Sequence, residues 1–314
     1  MKISIEAKDF FESLTKGSIK YLSKAITYSE SKSPKKRGFG KQLVSLALSK
    51  NYDTKVLAIS GPPGTGKSTF IDSFGIRLIE KGKKVAILAI DPTSSITKGS
   101  ILGDKTRMQR LSIEPLAFIR PSPTSLSMGG VANATREAIE LCKASGFDYI
   151  IIETVGVGQS EIMAYQMSDF FLMLSLAGSG DELQGIKKGI VEISDCIAIN
   201  KIDTLTEKQK VLNISQIKKA FQILGKDTNS ILSCSGLTDE GLEDIESFID
   251  EFYKVRKEEI ELKRIKSRLL WLQDIIKEKV VAKISSQFKN LPIDNIDNPY
   301  DVADTFLKEN GFQM

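Results

Sequence analysis

The stretch "KVLAISGPPGTGKSTFIDSFGIRLIEKG", Lys55 to Gly82, decides the fold. Its centre, Gly61 to Thr69, fits G-x-x-x-x-G-K-[ST] without exception. The apolar run "VLAIS" ahead of it reads as a buried strand, and the residues from Ser68 onward read as a helix. That strand-loop-helix setting is what the motif requires. Gly61, Gly64 and Gly66 let the backbone curl, so that successive N–H groups point inward at phosphate oxygens. With Pro62, Pro63 and Thr65 they form the turn of a phosphate cradle, and the helix N-terminus adds a favourable dipole. Lys67 is placed to reach β- and γ-phosphates, the Ser68 hydroxyl to coordinate Mg²⁺, and Thr69 follows as a further candidate nucleotide contact.

Outward from this loop the pattern repeats. "KVAILAI", "DYIIIETV", "FFLMLSLA", "CIAIN" and "SILSCS" are short apolar runs, most followed by a Gly-rich or acidic turn and then a helical segment. Runs apolar on both faces, alternating with helices, predict an α/β fold: a mostly parallel central sheet flanked by helices. On such a sheet ligands bind at the carboxyl ends of the strands, so the turns after these runs carry the chemistry.

Four of those turns do. "DYIIIETVGVGQSE" puts Glu153 at a strand end, where NTPases keep an acidic residue for the metal, here one methylene longer than Asp and suited to contact through water. Gly156 follows three residues later, where a backbone N–H meets a γ-phosphate. "CIAINKID" ends in Asn200-Lys201-x-Asp203, which fits N-K-x-D. The Asp203 carboxylate accepts from the ring N–H and the exocyclic amine of guanine, a donor pair adenine lacks. Lys201 can lay its aliphatic stem along the base. Ser235, Gly236 and Leu237 follow the next strand, where a backbone N–H would meet the guanine O6. After "KVAILAI" the chain empties into a long polar loop framed by Asp91 and Asp104. A loop of that length beside the phosphate site reads as a switch sensing the γ-phosphate and Mg²⁺. Its two aspartates hold the metal directly or through water; alternatively Asp91 caps a turn before Pro92. Lys67, Asp91, Asp104, Glu153 and Gly156 are thus the candidate catalytic set, and Ser68, Asp91, Asp104 and Glu153 the candidate metal set.

Composition narrows the classes. A balance of 44 basic against 40 acidic residues leaves +4, too little to argue for a nucleic-acid or membrane partner. No apolar run approaches the ~18 residues of a membrane span. The N-terminal residues carry acids among their apolar positions, unlike a secretory signal. Cys142, Cys196 and Cys234 are scattered and read as buried reduced thiols of a cytoplasmic protein. The absence of histidine removes the commonest metal ligand and general base. Residues 1–50 are expected to form a helical arm, with "SESKSPKKRGFG" (29–40) as a solvated basic link. Residues 51–254 form the P-loop domain and 255–314 a helical extension. In that extension Leu262, Ile265, Leu269, Leu272 and Ile276 step by three and four, a seam to pair with a second subunit or, alternatively, to pack back on the chain's own core. A final helix starts with Asn298 as N-cap and Pro299, and stops before Gly311.

Together "GPPGTGKST", "AIDPTSSITKGSILGDKTRM", "FIRPSPTS", "IIETVGVGQSE", "GSGDELQGIKKG" and "NKID" resemble the MeaB/ArgK/MMAA family of P-loop GTPases, over about residues 15 to 280. The resemblance implies a homodimeric, Mg²⁺-dependent enzyme cleaving GTP to GDP. It further implies a chaperone that gates cofactor loading of an adenosylcobalamin-dependent acyl-CoA mutase and protects it. It makes Gly180, Asp181, Gln184 and Lys187 a further switch segment, which reaches the nucleotide or the partner. Val157 stands where many small GTPases carry a water-orienting Gln, so hydrolysis is expected to be slow until a partner completes the site. Three rival functions remain: a metal-insertion GTPase, which the missing His and C-x-x-C motifs disfavour; a kinase acting on a transport-binding protein, for which no kinase-type base is present; and a nucleotide-gated scaffold without turnover.

Overall fold

The computed structural model describes residues 3–90, 107–121, 128–154, 159–176, 188–223, 225, 227–288, 298–309 and 311. Asp91, Asp104, Gly156, Gly180, Asp181, Gln184 and Lys187 lie outside the described residues. In chain order the helices are α1 (Ile5–Thr15), α2 (Ile19–Ser29), α3 (Pro34–Leu48), α4 (Lys67–Glu80), α5 (Met128–Ala144), α6 (Gln159–Met167), α7 (Lys188–Ile193), α8 (Glu207–Ile223), α9 (Leu242–Val255), α10 (Lys257–Phe288) and α11 (Pro299–Glu309). The strands are β1 (Lys55–Ser60), β2 (Val85–Ile90), β3 (Ala117–Arg120), β4 (Tyr149–Thr154), β5 (Phe170–Leu176), β6 (Cys196–Asn200) and β7 (Ile231–Ser233).

All seven strands pair in parallel, in the order β3-β2-β4-β1-β5-β6-β7. Every residue of β4 and of β6 is buried. Side chains alternate between faces along a strand, so unbroken burial means that both faces are covered. The core lies between the sheet and α4 and α9: Phe70, Ile71 and Phe74 of α4 and Leu242, Ile245 and Ile249 of α9 pack with Leu57, Ile59, Ile151, Phe170 and Leu172. Phe70 and Phe74 stack with ring centroids 5.6 Å apart. Burying each such side chain stabilises the fold by about 1.5–3 kcal/mol. The strand β3 has no counterpart in the sequence reading: "AFIR" is a four-residue edge strand with one fully buried side chain, too little for an apolar run to show.

The N-terminal residues form three helices. Gly17, at φ 80, breaks the helical stretch between α1 and α2 in a conformation that favours glycine. Leu22, Ala25 and Ile26 are buried as their spacing requires. The segment 29–40 is corrected: it is not a link throughout, because Ser33 and Pro34 start α3 as N-cap and first residue, and its lysines lie on the outer side of a real helix. Gly40 is the contact point between α2 and α3, since a Cβ there would lie 2.5 Å from Ser29 N. Arg37 joins the arm to α5 through a two-pronged ion pair with Glu137, and Arg120 of β3 pairs with Glu30.

The chain divides into two compact units, 1–267 and 268–314. The second holds the remainder of α10 and the helix α11. Asn298 caps α11 by accepting the Tyr300 N–H at 3.1 Å, and Gly311 follows it at φ 84. Among the described residues no helix is long and apolar enough to cross a membrane.

Candidate nucleotide site

The loop from Gly61 to Gly66 joins β1 to α4 at the carboxyl edge of the sheet. Gly61, Gly64 and Gly66 have φ values of 152°, 86° and 83°. Space as well as conformation demands two of them. A Cβ at Gly61 would stand 2.4 Å from the Leu174 carbonyl oxygen, and one at Gly66 would stand 2.9 Å from Asn200 Nδ2. Thr65 folds back on Pro62, its hydroxyl donating to the Pro62 carbonyl at 2.9 Å. Pro63, Gly64 and Thr69 face solvent.

Lys67 opens α4 and turns its ammonium back across the loop, donating to the Gly61 carbonyl at 2.8 Å and the Pro62 carbonyl at 3.1 Å. Burial holds this ammonium below the ordinary lysine value and Arg107 adds to the effect, while Glu153 and Glu161 pull it back up. Ser68 donates to Glu153 Oε1 at 2.8 Å. Glu153 stands on β4 between Ile59 of β1 and Ala89 of β2, and is 9% exposed. A hydroxyl and a carboxylate meeting at a strand end form an oxygen-only donor set, the kind a hard divalent cation such as Mg²⁺ takes.

The N-K-x-D residues and the loop after β7 converge on the same edge. Asn200 ends β6 and its carboxamide works in both directions: Nδ2 donates to the Thr65 carbonyl at 2.8 Å, and Oδ1 accepts the Gly236 N–H at 3.0 Å. One side chain thereby ties the phosphate loop to the loop after β7. Lys201, at φ 62, lies with its Cε 3.4 Å from the position of a Cβ on Gly66. Asp203 accepts the Ser235 hydroxyl at 2.5 Å. Ser235 is fully buried and accepts in turn from the N–H groups of Leu237 (3.2 Å) and Thr238 (3.1 Å), so its proton is committed to Asp203. Leu237 itself is exposed. Beneath them Cys234 donates to Asn200 Oδ1 at 3.6 Å, and burial pushes its thiol up to about 12.

The structure therefore brings Gly61 to Thr69, Glu153, Asn200, Lys201, Asp203 and Ser235 to Leu237 together along one edge. Several residues of this region went unread in the sequence. Arg107 and Glu161 bear on the charge of Lys67. Asp72 and Ser73 sit buried in α4, Asp72 accepting the Leu111 N–H at 2.9 Å and Ser73 donating to the Gly236 carbonyl at 2.7 Å. A signal for the last pair existed: "FIDSFGI" interrupts a buried apolar helix with two polar residues, which need partners there.

The family model described as methylmalonyl Co-A mutase-associated GTPase MeaB matches residues 22–289. A probable GTPase of Mycobacterium tuberculosis is 41% identical over 271 residues, 84% of this chain and 81% of that protein. The GTPase ArgK of Escherichia coli is 39% identical over 274 residues, 85% of this chain and 83% of its own length. The mitochondrial methylmalonic aciduria type A homolog of Mus musculus is 38% identical over 289 residues, 86% of this chain and 69% of that one. Among solved structures, one described as an LAO/AO transport system kinase has a TM-score of 0.76 at 31% identity, covering 100% of this chain and 95% of its own.

Proposed function

Since the chain belongs to the MeaB family of methylmalonyl Co-A mutase-associated GTPases, we propose that it couples its turnover to an adenosylcobalamin-dependent acyl-CoA mutase. The chain is a GTPase. Our reading is that it acts as a chaperone, gating cofactor loading and protecting the mutase, with hydrolysis as the checkpoint. The observation that carries the nucleotide half of this reading is the Asn200 carboxamide. By bonding Thr65 and Gly236 at once it sets the phosphate cradle at a fixed spacing from the loop whose Ser235 holds the Asp203 carboxylate, as one nucleotide would need.

Lys67 exchanges its two carbonyl partners for phosphate oxygens when GTP enters, and Asp203, oriented by Ser235, accepts from the guanine edge. Ser68 and Glu153 would hold Mg²⁺, with Asp91 and Asp104 completing the set. When bound, the ion neutralises charge on the β- and γ-phosphates. In this reading Gly156 meets the γ-phosphate, while Gly180, Asp181, Gln184 and Lys187 form the segment that senses the mutase. The extension 255–314 makes a homodimer, supported by Leu262, Ile265, Leu269, Leu272 and Ile276, each at least half exposed along one stripe of α10. Three buried free thiols support a reducing, cytoplasmic setting.

The test is phosphate release from GTP, with ATP as control, with and without a purified mutase of this class. A slow GTP-only rate that rises several-fold with the mutase is expected. An unchanged rate would sink the mutase reading, and equal use of ATP would sink the role given to Asp203. Light scattering at micromolar concentration should return twice the chain mass of 34.7 kDa; a monomer would remove the dimer.

A further inference from the structure

We propose that Ser73, on α4 and outside every nucleotide motif of the chain, is a positioning residue for guanine recognition, held to that task by Arg110. This rests on reading Ser235 to Leu237 as the loop that meets the guanine O6.

The loop is gripped from three sides. Its Gly236 N–H is taken by Asn200 Oδ1 at 3.0 Å. Its Gly236 carbonyl is taken by the Ser73 hydroxyl at 2.7 Å. Its backbone lies against the first turn of α4 so closely that a Cβ on Gly236 would come within 2.9 Å of Phe70 N and Cα. Ser73 is 4% exposed, so this hydroxyl is a buried partner for a buried carbonyl. A serine hydroxyl rotates, and its proton goes where its lone pairs are not engaged. Arg110 Nη1 donates to Ser73 Oγ at 3.3 Å, which occupies a lone pair and leaves the proton for Gly236. The next residue, Leu111, is anchored by its N–H to Asp72 Oδ1 at 2.9 Å. Arg110 therefore approaches Ser73 from a fixed backbone. With its carbonyl committed to Ser73, the Gly236–Leu237 peptide plane is fixed, and so is the direction of the next N–H, that of Leu237, which rests on Ser235 Oγ at 3.2 Å and is the donor for which a guanine O6 would compete.

This geometry predicts a selective effect. The loop reads the 6-oxo group, whereas Asp203 reads the ring N–H and the 2-amine. Loss of the Ser73 hydroxyl should blunt the first discrimination and spare the second.

The experiment is equilibrium binding of GDP, 6-thio-GDP and IDP to the full chain. 6-Thio-GDP replaces the 6-oxygen by a poorly accepting sulfur, and IDP lacks the 2-amine. The wild type should prefer GDP over both. In Ser73→Ala the preference for GDP over 6-thio-GDP should fall about five-fold, the scale of one hydrogen bond, with the preference over IDP unchanged. Ser73→Thr, which keeps the hydroxyl, should restore it. Arg110→Ala, a change at an exposed side chain, should give a smaller loss in the same ratio. If Ser73→Ala weakens all three nucleotides equally, or none, Ser73 merely supports the fold and the inference is overturned. If the wild type itself shows no preference for GDP over 6-thio-GDP, the loop does not read O6 and the underlying assignment fails first.

Discussion

The two edges of the sheet are built on opposite plans. At the amino edge three aspartates repeat one device. Asp148, Asp169 and Asp195 each stand one residue before a strand, and each donates its own N–H to the chain at the root of the neighbouring strand, at Lys84, Val56 and Phe171. Each carboxylate then accepts the N–H of that same neighbour, at 2.8, 3.1 and 2.8 Å. Asp169 goes further: it receives Arg264 Nε and Nη2, both at 2.9 Å, and the Tyr253 hydroxyl at 3.0 Å. Arg264 also donates to the Thr54 carbonyl, so the root of α10 is locked to the root of β1. At the carboxyl edge the partners of the charged groups are ones a ligand can replace. Lys67 rests on two carbonyls, and Glu153 meets the hydroxyl of Ser68. Saturated partners make an edge rigid, and exchangeable partners leave one ready for a ligand.

Breaking the amino edge should cost stability without touching turnover. Asp169→Ala removes a buried carboxylate from under Arg264 and Tyr253 and should destabilise unit 1–267 by about 3 kcal/mol. Urea titration reads the loss. Turnover per folded molecule at saturating GTP should stay within two-fold of wild type, roughly the scatter expected of a distant change. A large fall in that rate would mean that the edges are coupled.

Breaking the carboxyl edge should do the reverse. Lys67→Ala removes two bonds to carbonyls in a partly exposed loop, so the urea midpoint should barely move. The rate of GTP cleavage should drop roughly 100- to 1,000-fold, the range for loss of one preorganised charge donor. Equal losses of stability and activity would erase the distinction between the edges.

The contrast also explains which parts were legible in the sequence. The phosphate loop, N-K-x-D and six of the seven strands are contiguous patterns, readable because period and spacing are local. The amino-edge clamp was not. Asp169 and Arg264 lie 95 positions apart, and nothing in "SDFF" or "KRIK" announces the other. Ser73 and Gly236 are 163 apart. The start of α3 was hidden for another reason. Its first turns are lysines and glycines with no apolar period, and what makes it a helix is Pro34 at N1 and contact with α2 and α5. Motif residues recognise ligands and so keep a local grammar, while the residues that hold them in place answer only to the folded chain.

A gentler change sharpens the base end of the carboxyl edge. Asp203→Asn keeps the size and an acceptor for the Ser235 hydroxyl, but replaces one carboxylate oxygen by a donor. GDP affinity should fall by about 1–3 kcal/mol, the worth of one bidentate base contact. Xanthosine diphosphate, with a carbonyl where guanine has its amine, should bind the variant better than the wild type. Calorimetry with both nucleotides decides it, and an unchanged GDP affinity would remove Asp203 from the site.

The smallest expected effect tests how Lys67 is held. Burial disfavours its charged form, so its free-protein value lies below that of an ordinary lysine. Phosphate oxygens favour the charged form, so nucleotide binding must raise that value again. The sign follows from linkage. Below the depressed value the ammonium is already charged and binding takes up no proton. As pH rises through that value toward the ordinary lysine range, binding must restore a proton, and affinity falls. GDP binding should therefore weaken by less than ten-fold between pH ~7 and ~9, with proton uptake visible as a dependence of the calorimetric heat on the buffer. The guanine ring loses its own proton at alkaline pH, so Lys67→Arg is the control, because arginine stays charged throughout while the base still titrates. If wild type and Lys67→Arg show the same pH dependence and the same proton uptake, Lys67 is an ordinary surface lysine, and the carboxyl edge owes its readiness to geometry alone.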